Sequence, residues 1–430
     1  MRAILVLAAL AERARAAKHV VLVLADDLGW SDLGFRGSGI ATPHLDALAN
    51  EGVVFEHLYV QRACSPTRAA LLTARYNIRY GMQSGVLEEA VPYGLDTKET
   101  LLPALLKEHG AVSKAHAIGK WHLGYASWSM TPTFRGFDSF FGYYSGAMDY
   151  YTHVGGCGGR DLHFADGANQ RGVVIDRNGT YSTHLFTERA VDVVSHHDAT
   201  EGGLFVYLAY QAVHSPNQVP DRYAAPYDFP EVEPSVCGVD AGAKRNIFAG
   251  MLAALDEGVG NVTDALDRAG MRDETLIWFQ TDNGAPTPAC GGWTGSQNWP
   301  LRGGKCTAWD GGLRGVAFAS GAGVAGGLSS RRLAHTVDAG PTFLDALGGD
   351  WRAAAAAYAL DGISQWGALD GSADAPPREV ALLECDPFPA AGAEISRGIA
   401  TAWPRRRRDS SAKHPRVETC RFVPGGCPAV

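Results

Sequence analysis

Cys64-Ser65-Pro66-Thr67-Arg68, running on into Ala69-Ala70-Leu71-Leu72-Thr73-Ala74-Arg75, combines a reactive side chain with the start of a helix. Ser65 is a capping residue type, Pro66 suits the first helical position, and Ala69 to Leu72 are good helix formers. A side chain at that end faces unpaired backbone N–H groups and the positive pole of the helix dipole, which favours an anion. Arg68, four residues on, adds a planar cation on the same side. The stretch therefore predicts a reactive side chain and an anionic substrate. Taken alone, Cys64 also reads as a buried or disulfide-bonded thiol.

Two further pairs, Asp26-Asp27 and Asp282-Asn283, offer only oxygen ligands. Such sets suit hard cations, and Ca2+ tolerates an irregular oxygen cage better than Mg2+ does. Either pair by itself also reads as a turn. Lys120 and His122 lie in Gly119-Lys120-Trp121-His122-Leu123-Gly124, His214 in Gln211-Ala212-Val213-His214-Ser215-Pro216, and Lys305 closes Pro300-Leu301-Arg302-Gly303-Gly304-Lys305. Singly, these are a solvated lysine, a turn histidine and a structural histidine; their weight comes from acting together.

The elements that must position them alternate strand and helix. The apolar runs at 20–25 and 204–209 read as strands buried on both faces, 276–280 reads as a strand leading into Asp282-Asn283, and 53–60 reads as a strand leading to Cys64. Helices are predicted from Pro43 to Gly52, over 101–109 and over 247–269. This alternation predicts an α/β fold on an open, mainly parallel sheet. Asp26/Asp27, Cys64, His214 and Asp282/Asn283 all follow apolar strands, and the carboxyl edge of such a sheet is where ligands bind.

The chain has 430 residues, 46% hydrophobic and 20% charged, enough for one large domain or a large and a small one. Its net charge of −8 gives no global basic footprint for nucleic acid. No apolar run reaches the ~18 residues of a membrane span. The eight cysteines (64, 157, 237, 290, 306, 385, 420 and 427) show no C-x-x-C spacing, which argues against zinc. With Cys64 set aside, seven remain, so at least one stays unpaired. Arg2, the apolar run 3–10 and the small residues after it read as a short signal peptide over 1–18. Asn178 and Asn261 begin sequons. Together these expect the secretory pathway, with a lysosomal or extracellular destination.

Cys-x-Pro-Thr-Arg followed by Leu72-Thr73-Ala74-Arg75 resembles the signature of the type I sulfatases, with Thr67 for the usual Ser and Ala74 for the usual Gly. The segment around Lys120 and His122 resembles the family's second signature. Blocks such as Phe134-Arg135-Gly136-Phe137-Asp138 and Trp309-Asp310-Gly311-Gly312-Leu313-Arg314-Gly315 look most like the arylsulfatase B (N-acetylgalactosamine-4-sulfatase) group. The resemblance runs from about His19 to about Trp366. It implies an alkaline-phosphatase-like, mainly parallel sheet sandwiched by helices over 19–370 and a small C-terminal α+β region; residues 371–430 depart from the family's usual pattern and read as a short, incomplete version of it.

That resemblance implies sulfate-ester hydrolysis by a formylglycine that a formylglycine-generating enzyme makes from Cys64. It implies one Ca2+ held by Asp26, Asp27, Asp282, Asn283 and an oxygen of modified Cys64. Arg68, Lys120 and Lys305 would stabilise charge, His122 would assist elimination, and His214 with Lys305 would attend the leaving oxygen. The substrate would be a sulfated carbohydrate or an aryl sulfate. The alternatives are a phosphate or phosphonate ester hydrolase on the same scaffold, and an inactive glycan-binding relative.

Overall fold

The computed structural model describes residues 17–167, 170–230, 241–288, 290–372, 378–383, 398–401 and 418–419. Its main sheet is built from β1 (His19–Ala25), β2 (Val53–Phe55), β4 (Lys114–Lys120), β5 (Ser139–Tyr143), β6 (His163–Asp166), β7 (Gln170–Val173), β8 (Leu204–Ala209), β9 (Thr275–Thr281), β10 (Ala317–Gly321) and β11 (Leu328–Ser330). The remaining short strands are β3 (Leu58–Tyr59), β12 (Ala334–His335), β13 (Val380–Leu382), β14 (Gly398–Thr401) and β15 (Glu418–Thr419). The sheet runs β11-β2-β10-β9-β1-β8-β4-β5-β6-β7. Only β10 and β6 run against the others.

Every residue of β1, β8 and β9 is buried, as the apolar runs of β1 and β8 predict for strands covered on both faces; in β9 the polar Gln280 is buried with its amide hydrogen-bonded to Trp278 and Thr336. Alternation along β1 divides the interior in two. Val21, Val23 and Ala25 pack with Leu45, Phe186 and Leu252, while Val20, Leu22 and Leu24 pack with Leu71, Leu106 and Phe343. Helices Pro43–Glu51, Ser182–Ser195 and Ala241–Arg268 thus cover one face; Cys64–Thr73, Leu102–Glu108 and Ala339–Ala346 cover the other. The helix expected over 247–269 begins earlier, at Ala241.

The strand expected over 53–60 is divided. β2 joins the main sheet beside β10, whereas β3 pairs with β12 in a separate two-stranded sheet. Between them Glu56 N–H donates to the Ser330 carbonyl and the His57 carbonyl accepts from Ala334, so partners far along the chain take hold of the break. Cys64 therefore does not follow a strand of the main sheet; it opens a helix packed against it. Beyond the main body, β13, β14 and β15 form an antiparallel sheet. Residues 1–16 of the stretch read as a signal peptide lie outside the described residues, as do Cys237, Cys385, Cys420 and Cys427. No described helix is long and apolar enough to cross a membrane.

Candidate active site

Asp26 and Asp27 leave the carboxyl end of β1, Asp282 and Asn283 that of β9, and Lys120 is the last residue of β4. His214 lies five residues beyond β8, and Lys305 comes from the loop between β9 and β10. Close strand packing fixes Lys120: the preceding Gly119 has φ +95°, and a Cβ there would stand 1.9 Å from the Ala209 carbonyl oxygen of β8. Asp27 (φ 61°) and His122 (φ 55°) hold left-handed backbone that non-glycine residues rarely adopt. Asp27 N–H donates to Asp282 Oδ1 at 3.3 Å, tying the two strand ends together.

The helix carrying Cys64 starts at Cys64 itself, with Ala63 as the residue before it. Ser65 does not cap and Pro66 is the third helical residue; the Ser65 hydroxyl instead accepts from Leu87 N–H at 3.0 Å. Arg68, wholly buried, donates to Asp282 Oδ2 through Nε (3.1 Å) and NH2 (2.8 Å), to Asp26 Oδ2 (3.2 Å) and to the Lys120 carbonyl (3.0 Å). Lys120 Nζ donates to Asp26 Oδ2 at 2.5 Å, and Lys305 Nζ lies 2.7 Å from Asp27 Oδ1. Asn283 Nδ2 donates to Asp27 Oδ1 at 2.6 Å. The Cys64 thiol sits 3.5 Å from Asp26 Oδ1. All ten residues singled out in the sequence meet in this region, and Lys120 is a buried ion-pair partner rather than a solvated lysine.

The titrations follow from that crowding. Burial alone would raise the Asp26 carboxyl, but Lys120, His214, Arg68 and Lys305 hold it far below the carboxylate range. Burial, with the Asp26 charge behind it, pushes Asp282 up to about 6. Burial and the charges of Asp26 and Asp282 push the Cys64 thiol well above its ordinary value. The helix N-terminus expected to favour an anion is overridden, and as a thiol this side chain stays protonated and unreactive at neutral pH.

The two histidines have legible tautomers. The Leu87 carbonyl lies 2.9 Å from His122 Nε2, so that nitrogen carries the proton and Nδ1 is the lone-pair atom; Nδ1 is buried with no partner. His214 Nδ1 meets the Ser215 carbonyl at 2.6 Å, which leaves Nε2 toward Asp27 at 3.6 Å. Burial lowers both histidines, with Lys120 adding to the effect at His122 and Lys305 at His214.

For a divalent cation the fit is good. Ligand atoms of Asp26, Asp27, Cys64 and His214 lie within 4.8 Å of one another. Asn283 Oδ1 is buried without a partner, on the same amide whose Nδ2 donates to Asp27 Oδ1. Of the five residues read from the sequence as the metal set, Asp26, Asp27 and Cys64 fall in that cluster, together with His214, while the Asp282 carboxylate beside them accepts from Arg68 and from Asp27 N–H. Sequence reasoning also missed Asp32. It is buried, accepts from Gly29 N–H, Gln297 N–H and Ser296 Oγ, and pairs with Arg245 at 2.6 Å, while Ser296 Oγ is also 3.1 Å from the Asp27 carbonyl. Its position five residues past Asp27 was the available signal.

Cys290 and Cys306 form a disulfide beside Lys305, and Cys157 is free and exposed. Asn178 and Asn261 are both exposed, the latter in the middle of helix Ala241–Arg268.

Comparison with known proteins agrees with this geometry. The sulfatase family model matches residues 18–349. Arylsulfatase J of Mus musculus is 41% identical over 332 residues, covering 76% of this chain and 52% of that protein. N-acetylgalactosamine-6-sulfatase of Mus musculus is 31% identical over 344 residues, covering 77% and 62%. The chain thus spans about half to three fifths of the length of these relatives. The crystal structure of Ps i-CgsB in complex with k-i-k-neocarrahexaose superposes with a TM-score of 0.75 at 27% identity, covering 90% of this chain and 82% of that one. The fold is the alkaline-phosphatase-like one of the sulfatases, and the chain belongs to the sulfatase family.

Proposed function

We propose that this protein hydrolyses sulfate esters, with a formylglycine made from Cys64 as its reactive group and one Ca2+ beside it. The observation that carries this reading is the placing of Cys64 as the first residue of a helix, 3.5 Å from Asp26, among three buried cations and three carboxylates. The charges of Arg68, Lys120 and Lys305 cancel those of Asp26, Asp27 and Asp282. A divalent cation added to such a balanced interior calls for an anion with it, and a sulfate ester supplies one.

Asp26, Asp27, Asp282, Asn283 and an oxygen of modified Cys64 would hold the cation, which supplies charge neutralisation and polarises the nucleophilic oxygen. Oxidation of Cys64 would replace an unreactive thiol by a hydrated aldehyde, whose two hydroxyls serve attack and release. The rest is done by this chain's own side chains. Arg68 orients Asp26 and Asp282 and adds positive charge at the helix mouth. Lys120 and Lys305, paired with the neighbouring Asp26 and Asp27, would bind sulfate oxygens. His122 Nδ1 accepts a proton from a neighbouring hydroxyl, its ring held by the Leu87 carbonyl. His214 Nε2 exchanges a proton with the leaving oxygen, its ring held through Nδ1.

We assign the substrate class to sulfated carbohydrates, with small aryl sulfates as surrogates. The named activities of the similar proteins and the arylsulfatase-B-like blocks support this. The exposed Asn178 and Asn261 and the Cys290–Cys306 disulfide support a route through the secretory pathway, where a formylglycine-generating enzyme would act. Expression with that enzyme, mass analysis of the Cys64 peptide and a 4-nitrocatechol sulfate assay test the reading together. Formylglycine with turnover supports it; formylglycine without turnover of any sulfate ester, or faster turnover of a phosphonate ester, defeats it.

A further inference from the structure

We propose that the cleft beside His122 is a subsite for the sugar next to the sulfated residue, one that carries an anionic group read by Arg160. The inference rests on the sulfate-ester reading and extends it to substrate selection. The cleft encloses about 520 Å3, and its walls include Tyr125, Trp128, Tyr144, Arg160, Asp161 and His163. That volume suits a small ligand of one or two sugar rings. A smaller recess lined by His122, Gly124, Tyr125, Tyr144 and Ser145 adjoins it. Tyr125, Tyr144 and Ser145 belong to both, so one wall leads from His122 to Trp128 without interruption.

The wall is rigid and aromatic. Tyr125 stacks on Tyr144 (centroids 5.9 Å, planes 18° apart), and Tyr144 stacks in turn on Phe140 (5.1 Å, 15°) and lies against His163 at 4.3 Å. Tyr125 keeps 37% of its surface exposed, and its face away from Tyr144 can take the C–H side of a pyranose; Trp128, 56% exposed, lines the same cleft. Amphipathic rings of this kind give contact area at small entropic cost.

The charges in the cleft are not evenly available. Asp161 accepts from Tyr144 N–H (3.1 Å), Ser145 N–H (2.9 Å) and His163 Nε2 (3.0 Å), so its oxygens hold the wall together. Glu89 accepts from Gly156 N–H (2.9 Å) and Cys157 N–H (2.6 Å), tying its loop to the far rim. Arg160 makes one long contact, 3.5 Å to the Ile175 carbonyl, and among the described residues no carboxylate pairs with it. It is exposed, lines the cleft and offers a planar fork suited to carboxylate or sulfate. An uncommitted guanidinium beside aromatic faces, one wall away from the reacting centre, selects an anionic sugar.

The test compares Arg160→Gln with the wild type, both matured, on three substrates: 4-nitrocatechol sulfate, a sulfated disaccharide with a uronate neighbour, and one with a neutral neighbour. The expected result is a roughly tenfold rise in KM for the uronate substrate with kcat unchanged, and no change for the other two. A disaccharide whose neutral neighbour bears a second sulfate shows whether the sulfate can replace the carboxylate. Equal changes for all substrates, or none, overturn the subsite. Calorimetry of the uronate disaccharide on Cys64→Ala protein, with and without Arg160→Gln, separates the two claims. Arg160-dependent binding there, combined with no turnover of any sulfate ester by the matured wild type, would sink the hydrolase reading and keep the subsite; wild-type turnover without Arg160-dependent binding would do the reverse.

Discussion

Arg378 lies beyond the stretch that carries the reacting centre, yet its removal is expected to be the more damaging of two superficially similar changes. Its guanidinium is 6% exposed and meets Asp338, which is fully buried, through Nε at 2.9 and 3.1 Å and through NH2. It also donates to the Tyr76 hydroxyl at 2.6 Å and the Asp361 carbonyl at 2.9 Å. Arg378→Ala leaves a buried carboxylate without its cation, a change that typically costs about 3–5 kcal/mol. Asp338 retains N–H donors from His335, Ile363 and Gln365, so the lower end, about 3 kcal/mol, is expected. Arg79→Ala removes an ion pair of equal apparent quality, with two 2.6 Å bonds to Asp361, but Arg79 is 45% exposed. Solvent screening limits that loss to about 1 kcal/mol or less. Urea unfolding of the two variants beside the wild type measures both. Equal losses, or a loss below about 1 kcal/mol for Arg378→Ala, would refute the burial argument. The same experiment bears on the site. Tyr76 stands 5.2 Å from the His335 ring, His335 Nε2 is 3.2 Å from Gln61 Nε2, and Gln61 is bonded to Thr67 on the helix of Cys64.

Ca2+ is expected to raise the unfolding free energy of the wild type, by about 2.7 kcal/mol at a hundred times its Kd, and to leave Asp27→Asn nearly unmoved; an unresponsive wild type would remove the cation from the proposal. His122→Gln should lower kcat by about 10²–10⁴-fold with little change in KM, because Nδ1 is assigned to proton transfer rather than to holding sulfate; a pure KM effect would contradict that role. Acid stability gives a third check. Burial, then His197, lowers His19 to about 4, and burial, with Arg189, lowers His116 to about 4. A histidine whose folded value is depressed stays neutral in the fold while the unfolded chain takes up a proton below about 6.5. Stability is therefore expected to fall as pH drops from about 6.5 to about 4, and His19→Asn with His116→Asn should flatten that slope in pH-dependent urea titrations. An unchanged slope would show that other groups control acid sensitivity.

What could be read from the chain, and what could not, divides along a physical line. β1 and β8 were legible because strands covered on both faces leave continuous apolar runs, and β9 because most of its length is apolar, a property of each segment by itself. That the ten residues singled out would converge was legible because several of them follow those strands and the others lie in blocks that resemble the type I sulfatase signatures. The break between β2 and β3 was not, because Ser330 and Ala334, some 270 residues on, hold it open. Asp32 and Arg245 escaped notice for the same reason: their pairing spans 213 positions.

Cys64 shows how far the local argument could mislead. A helix N-terminus favours an anion by about 0.3–2 kcal/mol. Full burial can shift an ionisable group by about 3–5 pKa units, at 1.36 kcal/mol per unit, and here Asp26 and Asp282 push the same way. Desolvation wins by a wide margin, so the helix does not make a thiolate. The same arithmetic makes chemical replacement of the thiol the natural solution. In the proposed reading, a neutral hydroxyl-bearing group would need no ionisation to enter this interior, and the charges already in place, Lys120 and Lys305 above all, would act on the incoming anion. Cys64→Ser sharpens the point: it puts a hydroxyl at the same position without a second one to drive release, so it should permit at most a single turnover. Sustained multiple turnover by that variant, measured against 4-nitrocatechol sulfate, would show that the two-hydroxyl argument is wrong.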